Sequence, residues 1–465
     1  HGHLSIAPAT INLYNTSLQT NVSSGGALPF LFSSANLAVV NNTSNATDEL
    51  VLNVVPKTLG KGTNQLNLTA GSVANTPLPI KGGTTTLFAL ANTALANDDV
   101  LGAAMVNGIH NAPQAQAAYN SFAPNVTGGS RAILVSITDQ ATGVVGARLR
   151  MLNLYGKQEG GTTLWGQEFF QMIKDPGQGA PDPNTGAKLV SGFKDHGFGF
   201  ALGIDGGSPK YGWYGGAFTF YSGDVGELTR DSHTNEQWYL LTGYSAWRGK
   251  GLFFDSKIDA GYGQFSGKRF IDLALSSTST YTREADNKHP GTMISGGFTT
   301  GGIFDYGAAT FSPLLSVDGL LMREEGYTEY NPGTATVGDG FDLKVNPYYA
   351  KSLRAFLGAN VRYDLDLWDF YLQPEAHAGY RYDFFNDPVK LKAAFAYADT
   401  TTGTTAGPGT VFTMTGPDPA QGNFVVGGSL AATTDTWTMG VNFDFVKGSN
   451  GTFEEVGTLN LLGRI

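Results

Sequence analysis

The sequence predicts a mainly β protein: a 12-stranded antiparallel transmembrane β-barrel preceded by an α-helix slim enough for its lumen, with a small β-rich region ahead of both. Three observations carry this expectation. Apolar and polar residues alternate strictly over long segments of residues 164–465. No run approaches the ~18–20 continuous apolar residues of a spanning helix; the densest is 132–137. Among 465 residues there are 63 glycines, 12% aromatics and only 15% charged residues, a mixture that disfavours a helical bundle and a disordered chain alike. A chain that crosses a bilayer without spanning helices must close into a barrel, because every backbone polar group needs an internal partner there.

Residues 1–90 are rich in Asn, Thr, Ser and Gly, and 49–55 (ELVLNVV) and 64–69 (NQLNLT) read as short strands with polar turns. The opening His1-Gly2-His3 lacks a basic region followed by an apolar one, so a processed or truncated start is expected. Residues 91–163 form a second unit of helical texture. Asp98 and Asp99 suit a first turn, Pro113 opens a stretch to Tyr119, and Pro124, Gly128 and Gly129 then interrupt it. A second helix is expected over about 130–150, with small side chains at Ala132, Ser136, Ala141, Gly143, Gly146 and Ala147 and arginines gathered at its C-terminus. About 20 helical residues span ~30 Å, the thickness of a bilayer's apolar core.

The third unit, 164–465, is the barrel. In 437–445, Trp437, Met439, Val441, Phe443 and Phe445 share one face, and Thr438, Gly440, Asn442 and Asp444 the other. The same period predicts strands at 164–173, 193–205, 210–222, 235–247, 251–265, 291–300, 307–323, 348–365, 369–384, 422–433, 436–447 and 453–465. The intervening segments 174–192, 223–234, 266–290, 324–347 and 385–421 are long and the others tight, which puts long loops outside the cell and short turns in the periplasm. Trp165, Trp213, Tyr221, Trp238, Trp247, Tyr262, Trp368 and Tyr382 fall near strand ends, where interfacial girdles sit.

The polar face holds both signs of charge. Arg354, Arg362, Asp364, Glu375, His377, Arg381 and Arg464 are expected in the lumen, and Arg131, Asp139, Arg148 and Arg150 of the helix are expected to pair with them, since confined charges are costly alone. A net charge of -10 without a basic cluster excludes nucleic acid as a partner, and the absence of cysteine excludes disulfides and thiolate metal sites. No His-Glu-x-x-His, Gly-x-Ser-x-Gly or phosphate-loop pattern occurs, so no catalytic residue, metal or cofactor is assigned. His1 and His3 with a free amine are able to chelate Cu²⁺ or Ni²⁺, against which stands a tag remnant. His196 shares parity with Phe198 and Phe200, on the lipid side.

Taken in order, these segments resemble the autotransporter β-domain family. The strand 164–170 (LWGQEFF) is similar to the family's first, and 197–205 (GFGFALGID) to its second. Residues 325–329 (EGYTE) resemble a loop after the seventh strand, 374–384 (PEAHAGYRYDF) is the most specific match, and 457–465 (GTLNLLGRI) resembles the closing strand. Residues 91–101 and 114–124 are similar to the family's helical linker. The resemblance covers about 90–465 and implies a monomeric type V secretion translocator in the bacterial outer membrane, contacting lipid and lipopolysaccharide. It further implies help from the barrel-assembly machinery and periplasmic chaperones, a pore plugged by the linker helix, and a passenger remnant in 1–90 displayed at the cell surface. Relatives usually end on an aromatic residue; Ile465 implies a differently read assembly signal. Self-cleavage of the linker, as in some relatives, would fall near Asn120 or Asn125, but no Asn-Asn pair occurs there. Two other readings stay open: an outer-membrane phospholipase or esterase, and an open 12-stranded porin, which needs no helix at 130–150.

Overall fold

An alternating strand with one wet and one apolar face is stable only when both of its edges are paired, and in this computed structural model each alternating segment finds two neighbours. The structure describes residues 118, 121–140, 143–154, 161–181, 188–274, 280–332, 341–367, 369–396 and 409–464, and some short strands before residue 57. The wall consists of β1 (Gly161–Asp175), β2 (Phe193–Ser208), β3 (Gly212–Glu227), β4 (Ser232–Gly249), β5 (Leu252–Ala274), β6 (Thr280–Gly302), β7 (Ala309–Glu324), β8 (Tyr348–Tyr363), β9 (Phe370–Asp383), β10 (Gly422–Thr433), β11 (Trp437–Gly448) and β12 (Phe453–Arg464). Each pairs antiparallel with the next, and β12 pairs back onto β1, with Phe453 opposite Lys174 and Arg464 opposite Thr163. The barrel is closed and leaves no edge among these twelve strands.

Parity follows the sequence. On β11, Met439, Val441 and Phe443 are about half exposed on the outside, whereas Thr438, Asn442 and Asp444 are buried. Five hairpins close in short turns at the end that holds both barrel termini. In one of them Lys250 (φ 51) and Gly251 (φ 76) both take the left-handed region, the twist-matched turn of a two-residue hairpin.

The opposite end departs from expectation. Residues 266–290, read as a loop, are largely strand, because β5 and β6 each run for 23 residues; likewise β3 and β4 cover most of 223–234. There the inward set mixes polar Arg269, Asn287 and His289 with apolar Phe265 and Ile271, all buried, so the hydropathy alternation fades while the backbone pairing continues. The segments 324–347 and 385–421 contribute a small four-stranded sheet, ordered Tyr327–Thr328, Leu343–Val345, Lys390–Phe395 and Phe412–Thr415.

The helix expected over 130–150 is two helices, α1 (Gly129–Thr138) and α2 (Val144–Leu154). At Asp139 the chain is extended, with φ -66 and ψ 142. Just past the break, the Gly143 N–H donates to the Asp139 carbonyl at 2.5 Å, so close an approach that a Cβ at Gly143 would lie 2.0 Å from that oxygen. In the N-terminal region the hairpin Phe32–Asn42 with Thr47–Pro56 contains the strand expected at 49–55. The strand expected at 64–69, residues His1 and His3, and all but Ala118 of the helical texture expected ahead of Tyr119 lie outside the described residues.

Candidate functional site

An inward side chain has either water or the helical segment for company, and much of this wall is shaped for the helices. Trp165 and Phe169 of β1, Tyr221 of β3, Trp238, Leu240 and Tyr244 of β4 and Met322 of β7 pack with Ile133, Leu134, Val144, Leu149 and Leu152 of α1 and α2 in one buried cluster. The aromatic rings lie over glycines of neighbouring strands: a Cβ on Gly203 would meet the Trp165 indole at 2.2 Å, and one on Gly263 the Trp238 ring at 2.8 Å. Abundant glycine on the wall thus makes room for large lumenal rings. Trp165, Trp213, Tyr221 and Trp238, expected in girdles, are therefore interior residues, 5%, 6%, 0% and 0% exposed. Trp247 and Tyr262 do face outward. The signal was parity, since Trp165 shares its face with Gln167 and Gln171, and Trp238 shares its face with Glu236.

Charge pairs fix the helices at three levels. Near the long loops, Arg131 reaches Asp383 at 2.6 Å and donates to the carbonyls of Lys351 and Phe385. At the break, Asp139 accepts from Arg381 at 3.0 Å and faces Arg354 at 3.4 Å, while Lys257 donates to the Thr138 carbonyl that the helix end leaves free. Near the short turns, Arg148 forks onto Asp205 at 2.6 and 2.8 Å, and Asp205 also accepts from Tyr244, itself held by Trp165. Arg150 lies 3.9 Å from Glu375. The wall partners come from β2, β5, β8 and β9, on several sides of the interior.

The expected lumenal set divides accordingly. Arg354, Glu375 and Arg381 meet the helical segment. His377 is buried but bonds to Asp444 and lies near Glu375, both on the wall. Arg362 pairs with Asp364 at 2.9 Å on the wall at the short-turn end. Arg464 is exposed and donates to the Asp435 carbonyl, because the last strand position opens onto water rather than the lumen. Asp205 and Asp383, the partners of Arg148 and Arg131, were missed in sequence; both sit at the inward ends of alternating strands that were recognised. His196 is exposed on the outer face of β2, and among the described residues no hydrogen bond involves it.

Upstream of α1 the chain passes the long-loop end. Phe122 packs against Phe341 with ring centroids 4.5 Å apart and the rings tilted, beside Phe395 and Phe412 of the small sheet, all 0–2% exposed. Arg269, held by Glu329, donates to the Ser121 carbonyl at 2.7 Å, and Arg230 donates to those of Ala123 and Pro124. His289 stacks between Phe265 and Tyr327 and bonds Glu324 at 2.8 Å, which ties the small sheet to the wall.

Comparison with known proteins agrees with this architecture. The family model for the autotransporter beta-domain matches residues 181–444. The translocator domain of the autotransporter NalP from Neisseria meningitidis superposes with a TM-score of 0.50 at 14% identity, over 74% of this chain and all of that one, a likeness of fold. The transport unit of AIDA-I from Escherichia coli gives 0.41 at 11% identity, over 74% of this chain and 100% of that one. The β domain of the Bordetella autotransporter BrkA gives 0.41 at 12%, over 65% and 99%. No curated protein matches the chain in sequence. With more than half of its length matched by the family model, this chain belongs to the autotransporter β-domain family, whose members are outer-membrane translocators.

Proposed function

We propose that the barrel carries its own N-terminal passenger to the cell surface and then retains α1 and α2 as a plug, acting as a monomeric translocator and anchor rather than an enzyme. In this reading residues 1–90 are the end of the passenger, 91–163 the linker and 164–465 the barrel, assembled with the barrel-assembly machinery and periplasmic chaperones. The observation that carries it is the alternation of charge along the helical segment, matched level by level by the wall. An empty channel has no use for an apolar berth of lumenal tryptophans. The chain ahead of α1 emerges among the long loops, the end that faces outward in bacterial barrels.

Planar-bilayer recordings test the plug. The intact chain is expected to conduct little and a deletion of residues 130–150 to open a large pore; equal, large conductance from both would favour the open porin. Unheated barrel should also migrate anomalously on a denaturing gel, and identical mobility before and after boiling would count against the whole reading.

A further inference from the structure

At the long-loop rim, outward side chains of four consecutive strands form one register row. Lys194 of β2 stands opposite Lys174 of β1, Lys174 opposite Phe453 of β12, and Phe453 opposite Lys447 of β11. All three lysines are exposed, and none forms an ion pair among the described residues. Lys447 donates to the Gly451 carbonyl at 3.1 Å. The nearest outward carboxylates, Glu455 and Asp224, lie one outward position closer to the membrane centre, opposite Met172 and His196. Like charges directly opposite one another on a sheet repel, so Lys174 and Lys194 gain from an anion between them. Elsewhere on the rim, Arg323 meets Glu325 at 2.9 Å and Lys351 meets Asp387 at 3.2 Å.

Below the row run two apolar columns, on β2 and β11, with the outward carboxylates Glu168 of β1 and Glu455 of β12 on the strands between them. Phe198, Phe200 and Leu202 of β2 are 62%, 38% and 58% exposed, and Val441 and Phe443 of β11 are 53% and 52% exposed. A headgroup carrying phosphate on an acyl-chain body fits cations above such columns, because lysines at an interface keep their stems on apolar surface and their amines at headgroup level.

We propose that this row seats a phosphorylated lipid of the outer leaflet, a lipopolysaccharide, with phosphates over Lys174, Lys194 and Lys447 and acyl chains along the Phe198–Leu202 and Val441–Phe443 columns. The assignment rests on the outward orientation of the long loops given above.

Native mass spectrometry of the full chain in detergent, titrated with bis-phosphorylated lipid A, tests it. The triple variant Lys174→Gln/Lys194→Gln/Lys447→Gln is expected to bind about a hundredfold more weakly. The control Arg323→Gln/Lys351→Gln is expected to stay within about twofold, since those cations are already paired. Dephosphorylated lipid A should bind the wild type as weakly as the triple variant binds lipid A. Equal lipid A affinity in the wild type and the triple variant overturns the seat, as does equal binding of the dephosphorylated lipid. Should the triple variant lose its gel shift, Lys174→Gln alone serves, with about a fivefold loss expected and an unchanged affinity overturning the seat. Orientation is read separately by labelling Ser449→Cys with an impermeant maleimide on intact cells: an unlabelled cysteine overturns the orientation, whereas equal lipid affinity overturns only the seat.

Discussion

The helical segment meets the wall with one polarity at its break and the opposite polarity on the helices that flank it. At Asp139 the segment supplies the anion and the wall supplies Arg381, Arg354 and, on the neighbouring carbonyl, Lys257. On α2 the segment supplies Arg148 and Arg150, and the wall Asp205 and Glu375. Arg131 at the start of α1 repeats the α2 arrangement with Asp383. Sliding the segment along the axis by one level, about 12 Å for the eight residues from Arg131 to Asp139, would set like charge against like charge. Apolar packing alone tolerates such a slip, since Ile, Leu and Val are near-equivalent to a berth of aromatic rings. The difference between the two regions teaches that the berth supplies attraction and the charges supply register.

The largest expected effect comes from breaking the α2 level. Arg148→Met leaves Asp205 buried without its cation and is expected to cost about 3–5 kcal/mol, read as a lower temperature for loss of the compact gel band. Adding Asp205→Asn should recover much of that loss, because the uncompensated charge is gone. An unchanged transition in the single variant would mean that the pair does not hold α2.

Both levels depend on wall charges pointing inward, so a test of parity comes next. Val441 is 53% exposed on the lipid side and Asn442 is 7% exposed inside; Val441→Arg is expected to cost about 2–4 kcal/mol and to impair assembly more than Asn442→Arg. The reverse order, measured as folded fraction in liposomes, would put the register off by one residue.

The break itself is sharpened by Gly143→Ala. The added methyl collides with the Asp139 carbonyl, 2.0 Å from its ideal position, and a loss of about 1–3 kcal/mol is expected from the forced backbone shift. A gain in stability would instead mean that a continuous helix fits the lumen. The smallest change is Lys351→Gln at the outer rim, whose pair with Asp387 is 53% and 71% exposed. About 0–1 kcal/mol is expected, and a larger shift in urea unfolding would show that the outer rim, too, contributes to register.

Much of this was legible beforehand. The parity of β11, the closing pattern of β12 and the hairpin turns rest on period two and turn chemistry, which are local properties. The inward placement of Arg354, Glu375 and Arg381 followed from their parity. What escaped was pairing across the lumen: Asp205 and Asp383 stand 57 and 252 residues from Arg148 and Arg131, and no local pattern links them. Trp165 and Trp238 were misplaced because aromatic residues suit both an interface and a packed interior, and only the helices beside them decide which.

By itself, then, the sequence determined a closed antiparallel barrel of alternating strands with a small-residue helical segment ahead of it, because strand period, turn residues and the lack of long apolar runs act over a few residues. Only the tertiary structure decided where the helix breaks, which carboxylates meet its arginines, and that the long loops fold into a sheet around Phe122. These outcomes depend on which groups the closed wall brings within hydrogen-bond reach, and in a barrel that is set by the register and curvature of all twelve strands together.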